Sequence, residues 1–482
     1  LHMVKSSAET VEAVVPDTND DIARVASLQT MLLLKGKDIS ARGITVTGEA
    51  RAWLLYITEG GTVQSVQLAR EFSIEYESDA VLDEKLTHVA LSVNAAETRV
   101  LNPRKVAVTF EICGELWAYS REELCVSASA GDTPCRVYAK QERCSATPVI
   151  AVTEKTFVLT EQFAFADSKP QPAALLSQNI EYELAEINVI SGRAVVKGNV
   201  RLKLCYASDG ADYPVTAEFS SPFSQLIDVP DTDTSGCAAR VEINGAYLNI
   251  IDTINGTKAV DVELHCLTEL VCFGREEVQY ISDMYCNTSA LTPRMGKLSI
   301  PSDCELRRVS LSFSESIEAP EDCADVLAAF TQICRCTVSG GTLSAQCLAD
   351  IIYRSESGGI SVMKRTFSLE GDCPEGVSSV LNVRVAETKL YPAAGSISVA
   401  LNVEAVCLCA GSREVDAVLS AELSDETETD CAAYPSVTLV RMEGESLWQL
   451  AKSYHSSEEA IIGLNGADCA ENGALLLIPK TK

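Results

Sequence analysis

The chain has 482 residues, of which 46% are hydrophobic and 22% charged, and its formal net charge is −29. A length beyond what one core serves implies several domains, and the apolar content is enough to fold them. The acid surplus argues against nucleic acid and anionic membrane surfaces, which bind by letting Lys and Arg displace counterions; no apolar run reaches the roughly eighteen residues of a membrane-spanning helix.

The N-terminal stretch "LHMVKSSAETVEAVV" has Lys5, Glu9 and Glu12 but no apolar core, so it does not read as a secretory signal. From there the chain repeats itself. "ITVTGEARAWLLYITEGG" from residue 44, "AVVKGNVRLKLCYASDGA" from 194 and "GTLSAQCLADIIYRSESG" from 341 align Tyr56, Tyr206 and Tyr353, at separations of 150 and 147. A polar, Gly-containing turn follows each Tyr, and then a second strand carrying Phe72, Phe219 or Phe367, at 16, 13 and 14 residues from its Tyr. Length variation confined to the turn is the behaviour of a hairpin with a tolerant loop.

The later part of each copy repeats as well. "LNPRKVAVTFEICGELWAYSREE" from 101 matches "INGTKAVDVELHCLTELVCFGREE" from 254, with "AAGSISVALNVEAVCLCAGSREV" from 393 as a looser relative that needs a bulge to stay in step. Val106, Val108, Phe110 and Ile112, like Val260, Val262 and Leu264, alternate with smaller or polar residues, which is the period of half-buried strands. Such a long period means duplicated domains, not a solenoid. The expected modules are residues 10–150, 151–300 and 301–432, each opening with a strand or a short helix. The segments near 145–150 and 285–303 read as short linkers that allow limited bending.

The last segment, 436–480, is of another kind. "SVTLVRM" alternates as a strand, and Ser446 with Gln449 makes a capping box at the start of a helix that puts Leu447, Leu450 and Ala451 on one face, with Trp448 and Tyr454 flanking. Ser456 with Glu459 offers a second capping box, Gly466 ends that second helix, and "ALLLIP" closes as a strand. The predicted order is β-α-α-β.

This tail, with "GESLWQLAKSY", Ile461, Asn465 and "LLLIP", resembles a LysM domain, and the three repeats resemble SPOCS domains of spore-forming Firmicutes. The combination is similar to clostridial spore coat morphogenetic proteins of the SipL type. The expected fold class is therefore mainly β: three tandem SPOCS-like modules followed by a small β-α-α-β LysM domain. The LysM resemblance implies a shallow groove formed by Gly444, Glu445, Ser446 and Leu447 on one side and Leu464, Asn465 and Gly466 on the other. Most of these residues also have a structural task as cap, packing residue or helix stop. The implied partner is a spore coat protein, the morphogenetic ATPase that polymerises around the forespore, or peptidoglycan through its N-acetylglucosamine. The implied location is the mother-cell cytosol at the forespore surface. A cell-wall glycan binder is the alternative. Residues 436–482 carry four Lys or Arg and six Asp or Glu, so local charge does not choose between sugar and protein. Half-paired strand edges offer a route to self-association.

Nothing points to catalysis or to a cofactor. The four histidines, His2, His88, His265 and His455, form no HExxH, and neither GxSxG nor GxxxxGK[ST] occurs. His265 and Cys266 are strand neighbours and face opposite sides. Nineteen cysteines include no CxxC. The close pairs Cys334/Cys336 and Cys407/Cys409 share strand faces, as core residues or as neighbouring ligands, with buried packing the ordinary role of a free thiol.

Overall fold

The computed structural model describes residues 1–78, 86–119, 136–230, 234–254, 256–319, 322–393, 395–428, 435–467 and 469–481. The fold is mainly β, with twenty-two strands and two short helices among the described residues. The chain forms two compact units: Leu1–Ser120, Pro148–Gly274 and Cys304–Ala410 make the first, and Arg121–Thr147, Arg275–Asp303 and Gly411–Lys482 the second.

In the first unit one arrangement of strands occurs three times. β1 (His2–Val14), β2 (Ile22–Ser40), β3 (Gly43–Thr58), β4 (Val63–Glu77), β5 (Thr87–Asn102) and β6 (Lys105–Ala118) form two sheets, ordered β2-β3-β4 and β1-β6-β5. Then β8 (Val149–Ala164), β9 (Ala174–Ile190), β10 (Arg193–Ser208), β11 (Ala211–Asp228), β12 (Thr234–Asp252) and β13 (Lys258–Gly274), which follow β7 (Val137–Ala146), give β11-β10-β9 and β12-β13-β8. Finally β15 (Ser289–Glu318), β16 (Cys323–Ser339), β17 (Thr342–Ser355), β18 (Ile360–Asp372), β19 (Val377–Ala393) and β20 (Ser396–Glu428), preceded by β14 (Glu276–Cys286), give β16-β17-β18 and β15-β20-β19. Every entry to a copy is a strand, so the helical option is not taken. The segment 285–303, expected to be a linker, is mostly the first half of β15. Its spaced apolar residues, Leu298 and Ile300, are buried and hold it in a ladder.

The aligned tyrosines lie on the middle strands β3, β10 and β17 and are almost fully buried, each in the core between its own two sheets. The alternating residues of the later motif meet them there: Val106, Val108, Phe110 and Ile112 are at 0% exposure. The Ser120–Glu123 end of the first motif lies outside the described residues. The hairpin turns explain the glycines. Thr58 N donates to Thr62 O at 2.9 Å and Gly61 N to Thr58 O at 3.0 Å, and Ser355 N and Gly358 N repeat this with Gly359 O and Ser355 O. Gly61 and Gly358 hold φ of 82° and 90°, a left-handed conformation that side chains disfavour.

One sequence correspondence needs correction. Phe72 faces Gly48 across β3 and β4, and its structural counterpart is Phe223 facing Gly198, not Phe219, which pairs with Leu202. In the third copy the same positions hold Ala345 and Leu369, and Phe367 pairs with Cys347. The shared Phe-Ser spelling misleads because it stands at a different distance from the Tyr in each copy, whereas the hairpin pairing hardly changes: Tyr56 faces Gln64, Tyr206 faces Val215 and Tyr353 faces Ser361.

A bulge recurs too. Val25 pairs with Tyr56 and Ser27 with Leu55, leaving Ala26 unpaired; Leu176 and Leu327 are skipped in the same way beside Tyr206 and Tyr353. Consecutive strand residues face opposite sides, so while each Tyr enters its own core, the residues before them, Leu55, Cys205 and Ile352, enter a fourth cluster together with Ala26, Leu176 and Leu327. The three copies therefore pack on a common apolar centre. Polar ties surround it: Ser27 Oγ donates to Asp350 Oδ2 at 2.7 Å, Arg240 Nη1 to Leu381 O at 2.8 Å, and Arg384 Nη2 reaches Glu183 at 3.1 Å.

The second unit contains the antiparallel ladder of β7 and β14, the first part of β15, the last part of β20, and a terminal motif of β21 (Val437–Arg441), α1 (Leu447–Ser453), α2 (Glu458–Asn465) and β22 (Leu475–Pro479). β21 and β22 pair antiparallel, Leu439 opposite Leu477.

Candidate functional site

Ser446 caps α1 as its sequence implies. Its Oγ accepts from Gln449 N at 3.2 Å, while Ser446 N donates to Gln449 Oε1 at 2.8 Å, so both halves of the capping box are present. The second cap is shifted by one residue. Ser457, not Ser456, accepts from Ala460 N at 3.2 Å, and the Ser456 hydroxyl instead donates to Pro479 O. Glu459 therefore lies in the first turn of α2 as one of two acids with Glu458, where it complements the helix dipole.

The seven groove candidates are largely engaged in holding the motif. Gly444 and Gly466 adopt φ of 99° and 94°, the second ending α2 with its N–H on Ile462 O at 2.8 Å. Glu445 Oε2 accepts from Glu443 N at 2.9 Å, and these backbone N–H groups lower its carboxyl pKa. Leu447 packs half-buried against the core of the motif. Asn465 has its whole amide occupied: Nδ2 donates to Ile461 O at 2.8 Å and Leu477 O at 2.7 Å, and Oδ1 accepts from Leu477 N at 2.8 Å. Among the seven, only Leu464 presents a large apolar side chain to solvent. It has company, because Val437, Leu439, Ile462, Leu475 and Leu477 are exposed as well. Strand alternation accounts for four of these: with Leu476 and Ile478 facing inward, Leu475 and Leu477 face out beside Val437 and Leu439.

The opposite side of the motif is packed down. Trp448, expected to flank α1, is a core residue, and its indole stands edge-on to Tyr285 of β14 at 4.9 Å between ring centroids. Asp283 of β14 accepts from Trp448 Nε1 at 2.8 Å and from Lys452 Nζ at 2.7 and 2.9 Å. Burial pushes the Asp283 carboxyl up, but Lys452 and Trp448 outweigh it and leave the pKa lowered. Tyr285 Oη and Asn287 Nδ2 both donate to Ser456 O at 3.0 Å, and Asn287 Nδ2 also reaches Thr481 Oγ1 at 2.9 Å. Asp283, Tyr285 and Asn287 are structural anchors of the terminal motif that sequence reasoning missed. The run "DMYCN" carries no local sign of a partner more than 150 residues away.

The histidines are structural in setting. His88 stacks on Trp117 at 4.7 Å, and His2 stacks on the same indole at 4.9 Å. Burial first, with Arg240 and Lys37 adding to it, pushes His88 down to about 3, so it stays neutral. His265 is half-exposed, 2.7 Å from Glu263. Among the described residues no three His, Cys, Asp or Glu side chains converge to hold a metal, and no helix is long and apolar enough to cross a membrane. Cys407 and Cys409 are buried in β20, whereas Cys334 and Cys336 are half-buried in β16.

Residues 173–251, which run from the start of β9 to the end of β12, match the family model of the SipL SPOCS domain. Residues 173–251 are thus a SPOCS domain of the SipL type. No curated protein and no solved structure matches the chain. The SPOCS match covers the three strands of one sheet and the outer strand of the other, and it points to a sporulation-related protein. The terminal β-α-α-β motif lies outside the matched residues.

Proposed function

We propose that this protein is a non-enzymatic scaffold of the spore envelope: residues 10–150, 151–300 and 301–432 are three SPOCS-like modules that space and assemble, and residues 436–480 are a LysM-type recruiting domain. The recurrence of the SPOCS-matched strand order in the first and third copies supports the tandem reading. Its place of action is the mother-cell cytosol at the forespore surface, and its partner is a coat protein, the morphogenetic ATPase.

The observation that carries the choice of partner is the state of the groove candidates. The Asn465 amide and the Ser446 hydroxyl are spent on local bonds, which leaves few free donors for an N-acetyl group. Leu439, Leu475 and Leu477 on the outward face of the β21–β22 pair, and Leu464 on α2, instead expose apolar surface of the sort that covers a protein partner. Recruitment by such a surface gains from tandem modules, because one docked module raises the effective concentration of the next. The alternative, a cell-wall glycan binder, is favoured only by the two loops themselves and their backbone N–H groups.

The test uses the full chain and its Leu464→Asp variant, each incubated with extract of sporulating cells and, separately, with purified peptidoglycan. Protein capture that the variant loses, without co-sedimentation with peptidoglycan, supports recruitment. Co-sedimentation with peptidoglycan and no specific protein capture would establish the glycan reading instead.

A further inference from the structure

Cys237 and Cys272 are direct register partners on β12 and β13. Their sulfurs lie 3.4 Å apart with no bond between them, and both residues are free thiols. Residues directly opposed on antiparallel strands have Cα atoms about 4.5–5.5 Å apart, within the span a disulfide bridges without backbone movement. Cys272 is completely enclosed, while Cys237 keeps 8% of its surface exposed. Cys237 also lies near the start of β12, the outer strand of its sheet, beside the irregularity between Thr234 and Gly236. Cys237 is thus the residue of the pair with exposed surface, and the enclosure of Cys272 restricts access to small molecules.

We propose that Cys237 and Cys272 are a reversible dithiol–disulfide site, oxidised by a small neutral peroxide, that fastens β12 to β13 when the bond forms. The chemistry suits the pair. The Cys237 thiol donates its proton toward Cys272 Sγ, which lowers the pKa of Cys272 and raises that of Cys237, so Cys272 is the nucleophile of the two. Its thiolate attacks one oxygen of hydrogen peroxide, the O–O bond breaks, and a sulfenic acid and one water result once a proton is taken up. Cys237 then loses its proton, attacks the sulfenic sulfur and displaces a second water. In sum, two thiols and one hydrogen peroxide give one disulfide and two waters. The sulfurs together lose two electrons, and the peroxide oxygens gain them. A dithiol reductant reverses the change by exchange. Because β12 is an outer strand, the bond would decide whether that strand can separate from its sheet and pair elsewhere.

The experiment is a peptide map of the full-length native protein. The protein is treated with hydrogen peroxide, unfolded in an alkylating agent, and digested without reduction. The expected result is a peptide pair joined through Cys237 and Cys272, 2 Da lighter than the two free thiols, which returns to separate peptides after dithiothreitol. A raised melting temperature of the oxidised wild type, absent from Cys237→Ala, accompanies it. Recovery of both cysteines as separately alkylated thiols at a peroxide dose that oxidises other residues of the chain would overturn the proposal. Joining of either one to a different cysteine would do the same. The wild-type map decides the matter even if the variant folds poorly.

Discussion

Trp448 Nε1 donates to Asp283 Oδ2 at 2.8 Å, joining residues 165 positions apart. The same carboxylate holds Lys452, so one acid on β14 fixes two side chains of α1. The terminal motif is thereby part of a larger unit and not a loose tip.

Replacing Asp283 with Ala should lower the stability of the terminal motif by about 1–3 kcal/mol, since a buried indole N–H and an ammonium lose their acceptor. Hydrogen exchange of the amides of α1 reads the effect directly. The folded pKa of Asp283 is lowered, so its contribution is present above the carboxyl's unfolded value and is lost as pH falls through the lower folded value. Neutral and mildly acidic buffers should leave α1 protected, and strongly acidic ones should not. Unchanged exchange in Asp283→Ala would remove the anchoring role.

Ser457→Ala should cost about 1 kcal/mol through loss of the α2 cap. Ser456→Ala should also destabilise, but by leaving Pro479 O without its donor. The two changes act on different ends of the motif. Circular dichroism melts of both variants, with helix content read at low temperature, separate them: if α2 frays in Ser456→Ala and not in Ser457→Ala, the cap assignment fails.

Glu269 on β13 is almost wholly buried, neither carboxyl oxygen has a hydrogen-bond partner, and Lys37 Nζ is 3.5 Å away. Burial pushes its carboxyl up to about 8, with Lys37 opposing and Glu154 adding. A raised folded pKa means the folded state holds a proton that the unfolded state releases. The contribution is full below the unfolded value near 4.5 and is lost as pH rises through about 8. Glu269→Gln should flatten this slope and be the more stable protein at pH 9. Denaturant midpoints at several pH values provide the check.

Gly48 has no room for a side chain, because a Cβ there would meet Phe72 at 2.3 Å and Leu33 O at 2.8 Å. Gly48→Ala should cost about 1–3 kcal/mol, as overpacking usually does. The third copy solves the same contact with Ala345 and Leu369, so Leu369→Phe alone should be harmful there and Ala345→Gly should relieve it. A double-mutant cycle of these two changes measures the coupling, and additive effects would mean the positions do not correspond.

How much was legible in the sequence depends on the range of each interaction. The Tyr56, Tyr206 and Tyr353 repeat and the Val106–Ile112 alternation were readable because burial on one face of a strand leaves a period of two. The Ser446–Gln449 box was readable because a cap joins residues three apart. The Ser456 cap failed by one place, since two adjacent serines satisfy the same local rule and only the distant Pro479 carbonyl decides which hydroxyl is free for α2. The Phe219 correspondence failed because the same Phe-Ser spelling sits at a different step of the outer strand in each copy, and only the cross-strand pairing shows that Phe223 is the residue facing Gly198.

The sequence alone settled that this is a strand-rich, repeated chain with a helical end, since local period, turn residues and caps depend on neighbours in the chain. The tertiary structure decided that the three copies share an apolar centre through Leu55, Cys205 and Ile352, and that Asp283 anchors the terminal motif. The reason is physical. Which outward face is covered, and by what, is fixed by packing between residues far apart in the chain, and such contacts leave no period for a sequence to display.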